Sequence, residues 1–304
     1  MIHARFDLEH WETVFPLSRL REEARAFVEA RQAAMPQEYR RPGAFEKHVA
    51  VMAPGGEQVT GPRDMVVIEQ LRAETLPSLE GARAVRTDVF VFARGEPENR
   101  AVTKIGGIPY WPTARPWPCT GSGQPRTFIG QFCFADSRDL VGHIPGDVLL
   151  LFGTEEDIVD NDPAGLAFEW IDLGADPLIA NAALPPNERP IEPCYGVIHR
   201  TLDYPDQRGA FRQYHSSYLI NVIEGTKIGG VPRWIQPPEE LPGRFLCSMG
   251  SIDPQPYAQQ PFPFINVEKP MSVEEDVFLV WGDVGSLYIF IGEGDQLHWT
   301  CQYY

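Results

Sequence analysis

A nine-residue stretch occurs twice in this chain. Thr103-Lys104-Ile105-Gly106-Gly107-Ile108-Pro109-Tyr110-Trp111 returns as Thr226-Lys227-Ile228-Gly229-Gly230-Val231-Pro232-Arg233-Trp234, with seven of nine positions identical. Each copy leads into a Pro-rich stretch and then an apolar run, Phe128-Ile129-Gly130-Gln131-Phe132 in the first and Phe245-Leu246-Cys247-Ser248-Met249 in the second. Each half closes on a Gly-led strand pattern, Gly146 to Phe152 and Gly285 to Ile291. The chain is therefore expected to contain two copies of one unit of about 100 residues, too long and too few for a solenoid. Within the motif, Gly-Gly supplies positive φ or close backbone approach at a sharp turn, and the following Pro fixes the exit direction. Neither copy matches the GxxxxGK[ST] or GxGxxG spacing of a phosphate loop.

Around the repeats the patterning changes. Up to residue 80 it is helical: after Pro16, the residues Leu17, Leu20, Ala24, Phe27 and Val28 recur at helical spacing. A second helix is expected from Pro62 to about Glu74, with Met65, Ile68 and Leu71 spaced by three and Pro77 beyond its end. From residue 85 onward, short runs rich in Val, Ile, Phe and Tyr alternate with Gly, Pro and Asp clusters. The expected strands are Val85 to Ala93, Phe128 to Phe134, Val148 to Phe152, Leu166 to Ile171, Tyr218 to Ile223, Val277 to Trp281, Leu287 to Ile291 and Leu297 to Gln302. Gly282 to Gly285 reads as the hairpin connection between the sixth and seventh of these. The fold class expected is α+β, with N-terminal helices (residues 1–80) packed on an internally duplicated, mainly antiparallel β-rich body (81–200 and 201–304).

Charge is unevenly spread. The chain has 26 basic and 42 acidic residues, a net charge of −16, and residues 136–192 alone hold 13 acidic against 2 basic side chains. Such a field repels nucleic acid and suits a basic partner or cation, although it also serves solubility. No apolar run approaches the ~20 residues of a membrane-crossing helix, and the N-terminus lacks an uninterrupted apolar signal region. Five scattered cysteines without CxxC spacing read as free thiols, so a cytoplasmic location is expected.

The combination Lys104 to Pro112, then Trp117-Pro118, then Phe128 to Phe132, ending in Trp281 to Phe290, resembles the YwqG-like family of bacterial domains, over roughly residues 85–304. The resemblance implies an α+β fold with internal duplication and brings no catalytic residues with it. Some members act as immunity proteins beside secreted toxins, and the chain is similar to immunity partners of type VI secreted DNases.

Enzyme signatures such as HExxH, GxSxG, an EF-hand loop or a zinc-type cysteine pair are missing from the sequence. The seven histidines lie far apart, so any site using them would have to be assembled by the fold. Glu155, Glu156, Asp157, Asp160 and Asp162 follow the first closing strand, and Glu274, Glu275 and Asp276 precede the last hairpin. Runs like these are solvated loops, weak metal sites, or complements to a partner's lysines and arginines. Tyr110 is replaced by Arg233 in the second copy, which frees it for a contact role, whereas Trp111 and Trp234 match and read as packing. The functional expectation is an immunity protein that occludes a cognate toxin with a basic surface, plausibly a nuclease. No cofactor, direct nucleic-acid contact or membrane contact is expected. The alternative is an enzyme or small-molecule binder with its site in the cleft between the repeats.

Overall fold

The computed structural model describes residues 83–154, 157, 165–187, 190–205, 221–252 and 279–303, together with Met1–His3, Arg5, Ala33, Gln37 and Glu69. Among the described residues ten strands form one sheet: β1 (Val85–Arg94), β2 (Lys104–Ile105), β3 (Thr127–Cys133), β4 (Val148–Gly153), β5 (Ala167–Ile171), β6 (Cys194–Asp203), β7 (Lys227–Gly229), β8 (Arg244–Gly250), β9 (Ser286–Ile291) and β10 (Leu297–Gln302). Their order is β10-β9-β8-β7-β1-β6-β2-β3-β4-β5, and every neighbouring pair is antiparallel.

Read outward from its centre, the sheet repeats itself. The long leading strands β1 and β6 pair over their full length, and each then pairs with the second strand of the other repeat, β1 with β7 and β6 with β2. Lys104 stands opposite Tyr195, as Lys227 stands opposite Val89, which places an approximate two-fold axis at the central pair Val91↔Val197. Both third strands carry a register shift at the same point, Phe128/Gly130 in β3 and Phe245/Cys247 in β8. Because the leading strands are exchanged, neither copy completes its hydrogen bonding alone.

Burial on both faces explains why β4 and β9 read as unbroken apolar runs. In β4, Leu149 and Leu151 enter the main core, while Val148, Leu150 and Phe152 enter a second core on the opposite face. The main core also takes Phe90, Ile105, Ile129, Phe132, Ile198, Ile228, Leu246, Leu287 and Ile289 from both repeats. The second is closed by Tyr110 and Trp111 from the Pro-rich segment and by Ile179 from the loop after β5. The sheet curls into a half-barrel around the main core.

Among the described residues no N-terminal helices pack on the β body, so the expected α+β class is corrected to mostly antiparallel β. Among the described residues the one complete α-helix is the single turn α1 (Arg138–Val141). The sheet's curl covers its inner face, and loops cover the outer face of β3 and β4, a division of labour that helical periodicity near the N-terminus does not reveal. The expected helices at Leu17–Val28 and Pro62–Glu74 fall outside the described residues, apart from Glu69.

Six of the eight expected strands form close to their expected ends. Asn221–Ile223 and Leu279–Trp281, the described parts of the other two, do not join the sheet. Gly282–Gly285 is accordingly a turn into β9 and not a hairpin link, closed by Gly285 N donating to Trp281 O at 2.6 Å. The expected turns at the motif glycines do form: Gly106, Gly107, Gly229 and Gly230 have φ of 64, 67, 70 and 71°.

Candidate functional site

The repeated lysines are buried clamps. Lys227 Nζ donates to Asp203 Oδ2 at 2.8 Å with both side chains fully buried, and the same oxygen accepts Val231 N at 3.1 Å. In the first repeat Lys104 Nζ donates to Glu96 Oε2 and, at 3.0 Å, to Ile108 O, while Glu96 Oε1 accepts Ile108 N. Burial lowers the Lys104 pKa, and the carboxylate of Glu96 opposes that shift. Ile108 and Val231 are equivalent in the motif, so each carboxylate ties a lysine to the backbone four residues on. Both ammonium groups are committed inward, away from any phosphate. The motif threonines are structural too: Thr103 Oγ1 accepts Cys133 N at 3.0 Å, and Thr226 Oγ1 accepts Gly250 N at 3.2 Å.

Between the repeats, where a ligand cleft was the alternative expectation, the junction is packed with apolar side chains. Phe90, Ile105, Ile129, Phe132, Ile228 and Leu246 are all fully buried there. Among the described residues no three His, Cys, Asp or Glu side chains gather as metal ligands.

A second polar assembly lies where β1 and β6 meet α1. Arg200 forks onto the fully buried Asp88, with Nε to Oδ1 at 2.8 Å and Nη2 to Oδ2 at 2.9 Å, and also reaches Asp139. Ser137 Oγ donates to Asp88 Oδ2 at 2.6 Å, and Arg86 Nη1 donates to Asp139 at 2.8 Å. The hydrogen bonds to Asp88 raise the Arg200 pKa beyond its already high ordinary value. A fork this well matched orients α1 on the sheet and engages both carboxylate oxygens of Asp88.

The outer face of the first repeat is more open. Its loop Asp172–Leu184 is pinned at several points. Leu173 N donates to Asp147 Oδ2 at 2.8 Å, Gly174 N to Tyr110 Oη at 2.9 Å, and Ile179 N to Trp111 O at 2.8 Å. Thr113 N donates to Pro177 O at 3.0 Å, and Arg100 Nη1 to Ile179 O at 2.7 Å. From this loop Asp172 and Asp176 project into solvent, beside Glu169 of β5, which pairs with Arg115 at 3.1 Å. Arg115 in turn lies 5.9 Å from the Trp111 ring. The result is an acidic shelf on the outer face of the first repeat, its backbone held by these hydrogen bonds.

The model of a family described as a domain of unknown function, DUF1963, matches residues 103–299, more than half of the chain. This chain belongs to the DUF1963 family. The DUF1963 match opens on the first motif residue, Thr103, and ends on Trp299 in β10, so it takes in both copies but leaves out the central strand β1. No curated protein matches the chain.

Two of the site residues expected from sequence are described, and both are drawn inward. Tyr110 is 6 % exposed, its hydroxyl bracing the acidic shelf from beneath. Asp157 is 8 % exposed and accepts Thr154 N and, at 3.4 Å, Arg126 Nη1, which makes it a turn brace. Glu155, Glu156, Asp160, Asp162, Glu274, Glu275 and Asp276 lie outside the described residues. The shelf residues Asp172 and Asp176 were not singled out from sequence, although they sit in the same acidic stretch; the spaced pair Asp-x-x-x-Asp ending in Pro was the available signal.

Proposed function

We propose that this DUF1963 chain is a binding protein of the YwqG-like kind, and that it neutralises a toxin with a basic surface by covering that surface. The acidic shelf carries the reading. Its backbone is held by hydrogen bonds from both sides while Asp172 and Asp176 stay free of ion pairs among the described residues. Charges fixed on a rigid element meet a partner without the cost of ordering a loop, and they mainly accelerate association and exclude wrong partners. A nuclease needs basic side chains to hold phosphates, and an acidic shelf complements that need.

An enzymatic or small-molecule role in the inter-repeat cleft finds less support, because that junction is filled by side chains from both repeats. Co-expression with the protein encoded beside it tests the proposal. The expected outcome is a stoichiometric complex and restored growth of cells that the neighbour alone kills. A neighbour that is not toxic, or a toxin that neither binds nor is suppressed, would overturn the immunity reading.

A further inference from the structure

Thr103 is fully buried, and its carbonyl and hydroxyl are used within the sheet: O accepts Gly196 N at 2.7 Å, and Oγ1 accepts Cys133 N at 3.0 Å. Its own N–H donates to Nε2 of His3 at 2.8 Å. The His3 side chain is completely buried, with its ring 5.4 Å from that of Phe90. Around it the chain is tied down. Ile2 N and His3 N both donate to Asp136 Oδ2 at 2.8 Å, Asn99 Nδ2 donates to Ile2 O at 3.4 Å, and Arg5 bridges in parallel to Ile198 of β6.

A ring nitrogen that accepts a hydrogen bond carries no proton. His3 is therefore neutral in this arrangement, with its proton on Nδ1, which stands 3.6 Å from Asp136 Oδ2. Protonating Nε2 would point two donors at each other and strip a buried backbone N–H of its acceptor. We infer that His3 is a pH-operated latch, holding Met1–His3 on the first repeat while neutral and releasing them when protonated.

Among the described residues, four charged groups face the ring or its partners. Asp136 and Asp88 favour protonation, Arg5 opposes it, and the Met1 ammonium stands 3.9 Å from Asp136 Oδ1. Asp88 is already matched by Arg200. Burial outweighs the carboxylates and lowers the His3 pKa below its ordinary 6.5. Asp136 stays ionised, its pKa held well down by the imidazole first and the two backbone donors after it. The sign follows. The latch is at full strength above the ordinary histidine range and weakens as pH falls through it, because the released imidazole takes a proton more readily than the buried one.

Amide hydrogen exchange read by NMR on the full chain tests this, with the Thr103 amide compared with that of Gly196, which donates to the Thr103 carbonyl. Between about pH 8 and pH 5, Thr103 protection should fall about tenfold or more relative to Gly196. In His3→Gln that pH dependence should vanish, whether or not the amide oxygen takes over the Thr103 N–H. A constant Thr103 to Gly196 ratio in the unaltered protein, or the same pH dependence in His3→Gln, would overturn the latch.

Discussion

Phe168 and Trp299 hold equivalent places in the two outermost strands, and their rings meet 4.6 Å apart. Phe168 faces Leu151 across β4 as Trp299 faces Ile289 across β9, so the contact lies on the same approximate two-fold axis as Val91↔Val197. The sheet's two edges thus meet through a side-chain contact, and among the described residues no hydrogen-bonded ladder joins them.

Because that contact joins the ends of the sheet, truncating either ring should destabilise the whole fold. Phe168→Ala and Trp299→Ala are each expected to cost about 2–4 kcal/mol, less than full aromatic burial because both rings are partly exposed. Urea unfolding of the two single variants and the double variant should give a coupling of about 0.5–1.5 kcal/mol. Strict additivity would mean that the edges do not support each other.

The two lysine clamps should respond unequally. Lys227→Met leaves Asp203 fully buried without its cation, an expected loss of about 3–5 kcal/mol. Lys104→Met should cost less, because the Glu96 side chain is 32 % exposed and water can take up its charge. Adding Asp203→Asn to Lys227→Met should recover part of the loss, since the amide oxygen still accepts Val231 N without a stranded charge. Thermal denaturation orders the three variants.

The motif glycines should also differ between copies. A Cβ on Gly106 would run into the backbone carbonyl of Ile191, whereas on Gly229 it would meet Leu140 Cβ at 3.0 Å and Arg86 O at 3.4 Å. Both positions have positive φ, which alone costs about 1–2 kcal/mol for alanine. Gly106→Ala is therefore expected to be the more damaging, by the difference in denaturation midpoint between the two variants.

Thiol chemistry offers a check on the packing. Cys119 is exposed, Cys133, Cys194 and Cys247 are buried, and burial pushes the Cys133 and Cys301 thiols up to about 12. Brief alkylation of the folded protein near pH 8, followed by peptide mass spectrometry, should label Cys119 first and leave the others until denaturant is added.

If the acidic shelf is the docking face, Asp172→Lys with Asp176→Lys should slow association with the toxin at low salt and flatten its salt dependence, with stability nearly unchanged. Stopped-flow association across ionic strengths reads this directly. Unaltered kinetics would move the interface off the shelf.

Strands whose two faces are both buried announced themselves in the sequence. Val148 to Phe152 and Leu287 to Ile291 are apolar throughout because alternate residues enter different cores or the core and its covering segments. Leading strand β6 did not stand out, since Gly196, His199, Arg200 and Thr201 break any simple alternation. Strands β2 and β7 span only two and three residues, and in sequence they read as part of a turn. Tyr110 read as a free contact residue because its counterpart is Arg233, yet its hydroxyl serves the loop after β5, a partner 64 positions away that no local pattern specifies.

The sequence by itself determined the duplication, the positive-φ turns at Gly106-Gly107 and Gly229-Gly230, and the strands that are apolar on both faces, because these depend on local backbone sterics and on period. Only the tertiary structure decided that the leading strands cross to the other repeat, that Lys104 and Lys227 answer carboxylates instead of ligands, and that the sheet closes through Phe168 and Trp299. Those outcomes depend on which distant groups share a buried, low-dielectric space, where an unpaired charge or N–H is costly enough to select its partner.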